Sequence, residues 1–443
     1  MGRSPLDMDK LALELALNDN MEAKKELAKK IRTIAYKKGI YLASINDFYM
    51  ARGRGETPSG FTVPAVNLRV LTYDLAKAIF RVAKRNNAGA FIFEIAKSEM
   101  GYTNQPAVEY AAICLAAAVK ENWSGPVFVQ GDHFQVSIKG YKADPTKELD
   151  GIRALILQAM EAGFYNIDID SSTLVDLSKP KVKKQQELNY EVCALLTNFI
   201  RRNQPRGIEV SVGGEIGEVG HQNSTPEDLK AFMEGYRERL RKGRTGISKI
   251  SIQTGTSHGG VVLPDGSIAK VKLDFDTLQK LSKMAREEYG MAGAVQHGAS
   301  TLPSEAFGKF PEVGTAEVHL ATEFQNMVYE SKHFPKDLKD RIYKWLKDTQ
   351  GAERKADQTE EQFLYSTRKK ALGAFKKDIM GLPAATRDAI AKEIEARFEF
   401  LFEKLNAGRN KDTVLKYTPF KKVITRKSKE IPKDVEISHE GAD

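Results

Sequence analysis

Between residues 61 and 332, short β-rich runs alternate with longer amphipathic stretches, and this alternation restricts the possible folds more than any other feature of the chain. The runs are TVPAVNLRV (62–70), AGAFIFEIA (88–96), GPVFVQGDH (125–133), FYNIDIDSS (164–172), IEVSVGGEI (208–216), SKISIQTGT (248–256), AGAVQHGAS (292–300) and TAEVHLATE (315–323). The stretches between them carry helical spacing, several with their own stop and start signals. Thr225 precedes Glu227 and Asp228 in a first turn, Asp274 precedes TLQKLSKM, and Gly163 and Gly290 close helical segments. A helix between two strands returns the chain to the same end of the sheet, so the strands pair in parallel. Eight such units in 272 residues fit a closed (β/α)8 TIM barrel of about 250 residues, an α/β fold. An open doubly wound sheet is the alternative on strand count alone.

The ends differ in composition. Residues 1–60 read as one or two helices followed by an Arg/Gly-rich connector, ARGRGETPSG. Residues 333–443 read as three helices, near 335–349, 358–380 and 384–406, and a polar tail. The division is therefore a helical extension (1–60), a barrel (61–332) and a helical extension with tail (333–443), with packing or homo-oligomer formation as the expected role of the ends. The net charge of +9 follows the same division, because the barrel segment balances to zero and the excess lies in the ends. A nucleic-acid groove is not what this distribution describes, although KKVITRKSK (421–429) is a basic run. The apolar run near 106–119 is broken by Glu109 and falls short of the ~20 residues of a membrane span. Cys114 and Cys193 sit in apolar stretches without a CxxC pattern, which reads as buried thiols in a reducing, cytoplasmic compartment.

Polar residues gather where the runs end, the place at which barrels build active sites. Asp132 and His133 end the third run, Asp170, Ser171 and Ser172 the fourth and Glu215 the fifth; His258 follows the sixth, His297 ends the seventh and His319 lies in the eighth. His333 and His439 read as surface residues. Imidazoles from three strands, His133, His258 and His297, can converge on one ion, and nitrogen ligands beside a carboxylate suit Zn²⁺ or another divalent transition metal. GTSHGG (255–260) and HGAS (297–300) place glycines next to these histidines, where backbone N–H groups can approach an anion. Adjacent strand residues diverge, so Asp132 and His133 address one point only if the strand twists there. His133 would then take the metal and Asp132 serve as acid or base; alternatively Asp132 is a turn residue or the partner of an imidazole.

Taken in order, AVNL (65–68), GDH (131–133), IDSS (169–172), GEIG (214–217), GTSHG (255–259), KLDFDTL (272–278) and QHGAS (296–300) resemble the class II, metal-dependent fructose-bisphosphate and tagatose-bisphosphate aldolases. The resemblance implies that His133, His258 and His297 bind Zn²⁺, with Glu215 a further ligand or an alternative metal position. It implies that Asp132 handles the proton of the C4 hydroxyl, that Gly259, Gly298 and Ser300 hold a phosphate, and that Asn67 contacts substrate. The implied reaction is reversible cleavage of fructose 1,6-bisphosphate to dihydroxyacetone phosphate and glyceraldehyde 3-phosphate. The eighth run departs from the family, whose Asn-x-Asp-Thr-Asp pattern reads the ketose phosphate; here the stretch is His319-Leu320-Ala321-Thr322-Glu323, with His319 at the first substrate-reading position. The loop after the fifth run is short and leaves Glu218 and His221 as its candidate groups. These departures keep two further readings open, a class II aldolase for another ketose phosphate such as tagatose 1,6-bisphosphate, and a non-catalytic barrel subunit.

Overall fold

The computed structural model describes residues 7–217, 222–255, 263, 273–421, 423, 435 and 437–439. Its sheet has nine strands, β1 (Ile40–Ala43), β2 (Val63–Asn67), β3 (Ile92–Ala96), β4 (Gly125–Gln135), β5 (Asn166–Asp170), β6 (Ser211–Glu215), β7 (Lys249–Ile252), β8 (Ala294–Gln296) and β9 (Glu317–Leu320). Strands β2 to β9 start in the eight runs read from the sequence, and only β4 extends past its run, to Gln135. They pair in parallel around a closed barrel, β9 returning to β2 and β4 joining β5. Helices follow the strands on the outside, and the expected caps are in place. Thr225 Oγ1 accepts the Asp228 N–H at 3.1 Å while Asp228 accepts the Thr225 N–H at 2.9 Å, and Asp274 accepts the Thr277 N–H at 3.0 Å. Gly163 and Gly290 end their helices with φ of 100° and 71°.

Neither element between residues 40 and 53 is signalled in the sequence. β1 bonds to the first half of β4, Ile40 opposite Gly125 through Ala43 opposite Phe128, because β5 does not reach β4 until Gln130 meets Asn166. Asn166 makes the transition: its Oδ1 accepts the Ile45 N–H at 2.9 Å and its Nδ2 donates to Ala43 O and Val129 O at 3.3 and 3.0 Å. The helix Asn46–Gly53 then lies under the barrel, where the Arg52 guanidinium donates to the carbonyls of Phe61, Thr315 and Ala316.

Both termini pack on the barrel's helices. Met8–Leu17 and Met21–Lys37 lie on Ala107–Lys120, and Ala384–Lys404 lies on Thr72–Arg85, where Arg85 pairs with Glu395 and Glu399 at 2.7 Å each. Glu109, the acid that interrupts the apolar run, is fully buried and gripped by Lys24 from one terminus and by Lys376 at 2.6 Å from the other. Burial raises its pKa, with both lysines opposing.

The segment 358–380 is not the single helix that its spacing suggests. It is broken into Glu360–Thr367, Ala371–Ala374 and Lys376–Met380, with Gly373 pressed so close that a Cβ there would stand 2.6 Å from Tyr102 O. The tail begins with a helix, Lys411–Tyr417, that buries Val414, and Asn410 Oδ1 accepts the N–H groups of Gly89 and Ala90 at 2.7 and 3.2 Å. Cys114 and Cys193 are buried thiols. Among the described residues no helix is long and apolar enough to cross a membrane.

A Cβ on Gly53 would fall 2.1 Å from the carbonyl oxygen of Gly290, a backbone atom that cannot swing aside. Gly53→Ala should therefore lower stability by about 1–3 kcal/mol, the range for overpacking, read as a lower midpoint in urea unfolding.

Candidate active site

Barrel interiors are ordinarily filled by layers of branched apolar side chains. Here the inward positions of five strands carry Glu94, Gln130, Asp168, Lys249 and Glu317, all buried. Lys249 Nζ stands 2.9 Å from Asp168, 2.5 Å from Glu317 and 2.7 Å from Gln130 Oε1. Gln130 Nε2 donates to Glu94 and Glu317 at 3.1 and 2.9 Å, and the Tyr49 hydroxyl, from the helix beneath, donates to Glu317 at 2.5 Å. Burial works against the Lys249 ammonium, but Asp168 and Glu317 outweigh it and raise its pKa. Glu94, buried and facing Asp132, has its pKa raised well above the usual carboxylate range.

Above this layer β4 carries an irregularity. Gly131 lies opposite Ile167 and Phe134 opposite Ile169, so β4 advances three residues while β5 advances two, and His133 takes a φ of 39°. This is a β-bulge, which re-aims side chains at barrel rims. The extra residue brings the side chains of Asp132 and His133 together, with Asp132 Oδ1 3.8 Å from His133 Nε2. His297, just past β8, places its Nε2 3.9 Å from the same oxygen, and the His133 and His297 ring centroids are 4.2 Å apart. Glu215 lies on the other nitrogens, 3.3 Å from His133 Nδ1 and 3.7 Å from His297 Nδ1. Asp170 is 3.2 Å from His133 Nδ1 and is itself fixed by Gln135 Nε2 and the Ser172 hydroxyl, each at 2.7 Å.

Ligand atoms on a tetrahedral ion bound at about 2.1 Å stand about 3.4 Å apart, and Asp132 Oδ1 stands somewhat wider than this from the two Nε2 atoms, at 3.8 and 3.9 Å. The ligand atoms of Asp132, His133 and His297 lie within 4.8 Å of one another, and those of His133, Asp170 and Glu215 form a second such group on the Nδ1 side. Two imidazoles with carboxylate oxygen fit a divalent transition metal. His258 and Gly259, with Glu218 and His221, lie outside the described residues.

The electrostatics distinguish the two imidazoles. Burial disfavours a charged His133, but Asp132 and Glu215 override it and raise its pKa well above the histidine range. Burial, with the charges of His133 and His319, pushes His297 down to about 3. Burial likewise opposes the Asp132 and Glu215 carboxylates, yet the neighbouring imidazoles hold both pKa values well below normal.

The remaining residues singled out in the sequence are dispersed around this centre. Asn67, at the end of β2, donates to Glu99 at 2.5 Å, and Glu99 also receives Arg69 Nε at 2.7 Å. Gly298 has a φ of 66°, and Ser300 Oγ accepts the Ala321 N–H at 2.8 Å, beside the start of helix Thr322–Glu330. His319 points into the barrel: its Nδ1 is 3.1 Å from Asp132 and 3.0 Å from Glu94, its Nε2 is 2.7 Å from Glu317, and its ring centroid is 4.2 Å from that of His297. Glu323 pairs with Arg397 at 2.6 Å. His333 and His439 are exposed. Glu94, Asp168, Lys249 and Glu317 escaped the sequence reading. Their signal is a charge at alternate positions within runs that, in a parallel barrel, ordinarily read as continuously apolar.

A family described as fructose-bisphosphate aldolase class-II matches residues 57–400. Among solved structures, a probable tagatose 6 phosphate kinase from Sinorhizobium meliloti 1021 is 16% identical over 80% of this chain and 98% of its own, with a TM-score of 0.53. A fructose-bisphosphate aldolase from Campylobacter jejuni is 18% identical over 84% and 96%, with a TM-score of 0.49. The YdjI aldolase from Escherichia coli K12 is 15% identical over 78% and 100%, with a TM-score of 0.44. The first of these alignments supports the barrel fold.

Two outcomes follow from the site. Lys249→Met strands Asp168 and Glu317 without their shared cation and should cost about 3–5 kcal/mol in chemical unfolding, the loss for breaking a buried pair. A raised pKa on His133 means that a metal must displace its proton. Uptake of a divalent transition metal, with zinc as the probe, should release protons and weaken as pH falls, checked by titration calorimetry in buffers of different ionisation enthalpy.

Proposed function

The chain belongs to the class-II fructose-bisphosphate aldolase family, and we propose that it is a zinc-dependent carbon–carbon lyase cleaving a ketose bisphosphate, in the first instance fructose 1,6-bisphosphate. The observation that carries this reading is the convergence of Asp132, His133 and His297 on one point above a fully buried polar layer. His133 and His297 would hold the metal through Nε2, with His258 as the third imidazole by family resemblance. A bound divalent cation supplies the Lewis acid for the carbonyl beside the breaking bond. Glu215 orients both rings through their Nδ1 atoms, the part outer carboxylates play for metal-bound histidines.

Asp132 acts on the hydroxyl of C4. As the C3–C4 bond breaks, that hydroxyl becomes the aldehyde carbonyl, its proton passes to the Asp132 carboxylate, and the bond's electron pair moves toward the ketose carbonyl. A base must be ionised to do this, and the imidazoles around Asp132 keep it so. Gly298, with its left-handed backbone, and Ser300 border the start of helix Thr322–Glu330, which suits the ketose phosphate. Asn67 gives its amide group to Glu99 and leaves Oδ1, without a donor among the described residues, for a substrate hydroxyl.

One observation favours a substrate other than fructose 1,6-bisphosphate. Glu323 is committed to Arg397, and Ala321 has no polar side chain, so the end of β9 lacks the family's sugar-reading acids. Tagatose 1,6-bisphosphate is the first alternative.

Purified protein should release dihydroxyacetone phosphate from at least one ketose bisphosphate in a coupled assay across both sugars. His133→Ala and His297→Ala should lose bound zinc and reduce turnover by more than about 100-fold, beyond the loss of an outer partner. Full turnover in either variant, or no release from any ketose phosphate by zinc-loaded wild type, would overturn the reading.

A further inference from the structure

We infer that His319 is a positioning residue for Asp132, a buried strut between the polar layer and the carboxylate, and that it does not read the substrate. The inference rests on the aldolase reading for what Asp132 does, and on geometry alone for what His319 does.

An imidazole has two nitrogens and can donate at most two N–H bonds. Both nitrogens of His319 face carboxylates, Nε2 toward Glu317 at 2.7 Å and Nδ1 toward Glu94 and Asp132 at 3.0 and 3.1 Å, with Asp168 a further 3.9 Å from Nε2. No donor is left for a phosphate, and a phosphate drawn to this ring would meet four buried carboxylates. Like charges at such distances in a poorly solvated interior repel strongly. The residue type at the first substrate-reading position of β9 therefore serves the protein's interior.

The ring's far end is held by an acid that is itself anchored, 2.7 Å from Nε2. Glu317 receives Lys249, Gln130 and His319 on Oε1 and Tyr49 on Oε2, four buried donors on one carboxylate. A swing of His319 would break its bond to Glu317 and leave that buried acid short of a donor. Its near end reaches Asp132 at Oδ1, the same oxygen that lies 3.8 and 3.9 Å from the Nε2 atoms of His133 and His297. All these contacts fall on Oδ1, which leaves Oδ2 to take the C4 proton. On a bulged strand whose next residue has a left-handed backbone, the side chain of Asp132 has no regular pleat to fix it; the His319 contact supplies that constraint.

The test separates positioning from substrate reading by using two reactions of the same site. Cleavage needs the C4 proton to leave, whereas exchange of a dihydroxyacetone phosphate proton with D₂O does not. In His319→Asn, zinc content should be unchanged, cleavage kcat should fall about 10–100-fold with KM nearly constant, and exchange should persist at close to the wild-type rate. Glu317→Gln, which loosens the ring without removing it, should show the same pattern more weakly and serves if His319→Asn does not fold. A rise in KM with a matching loss of exchange would mean that His319 reads the phosphate, and unchanged cleavage would mean that it holds nothing the reaction needs; either overturns the inference. If wild type neither cleaves nor exchanges, the aldolase reading fails, and the crystal structure of zinc-loaded His319→Asn still decides the geometry. Asp132 kept in its wild-type rotamer would overturn the inference.

Discussion

Everything above the floor of this barrel depends on the neutralisation of charge out of reach of water. Glu94, Asp132, Asp168, Asp170, Glu215 and Glu317 are all buried on barrel strands or at their ends. A carboxylate desolvated without a partner costs several kcal/mol. Lys249 lies between Asp168 and Glu317, His319 among Glu94, Asp132 and Glu317, and His133 among Asp132, Asp170 and Glu215. Burial beside Asp132 raises the Glu94 pKa well above the usual carboxylate range. The cations are shared between acids, so moving one changes the balance for at least two others.

This sharing also explains how a charged mouth sits on a stable scaffold. The metal proposed at His133 and His297 would add positive charge where Asp132 and Glu215 already supply negative charge. The bulge in β4 is the local distortion that the arrangement requires. Without the extra residue, Asp132 and His133 would face opposite sides of the strand and the two charge systems would have no common oxygen.

The barrel was legible in the sequence because its signals are local: β-rich runs, the Thr225 and Asp274 caps, and the glycines at 163 and 290. The ends of the runs likewise displayed Asp132, His133, Glu215 and His297 as polar residues in a row. β1 was not legible, since four residues carry little pattern and their partner begins at Gly125, far along the chain. The inner layer was missed for a related reason. A lone Lys249 in SKISI or Glu94 in FIFEI acquires meaning only when closure brings five strands face to face, and no local window holds two members of the set. The break in the segment 358–380 depends on the close approach of Gly373 to Tyr102, another contact between distant parts of the chain.

Glu109 gives the chain a history as well as a shape. Its carboxylate is buried between a lysine from the first helices and one from near the end of the chain. During synthesis Lys24 is present before Glu109, whereas Lys376 leaves the ribosome only after every barrel strand has been made. The helix Ala107–Lys120 therefore begins life with half of its counter-charge and completes it last, so the final helices close an electrostatic account that the first ones opened. A barrel released early, or cut back to its strands and their helices, carries that debt in its own core.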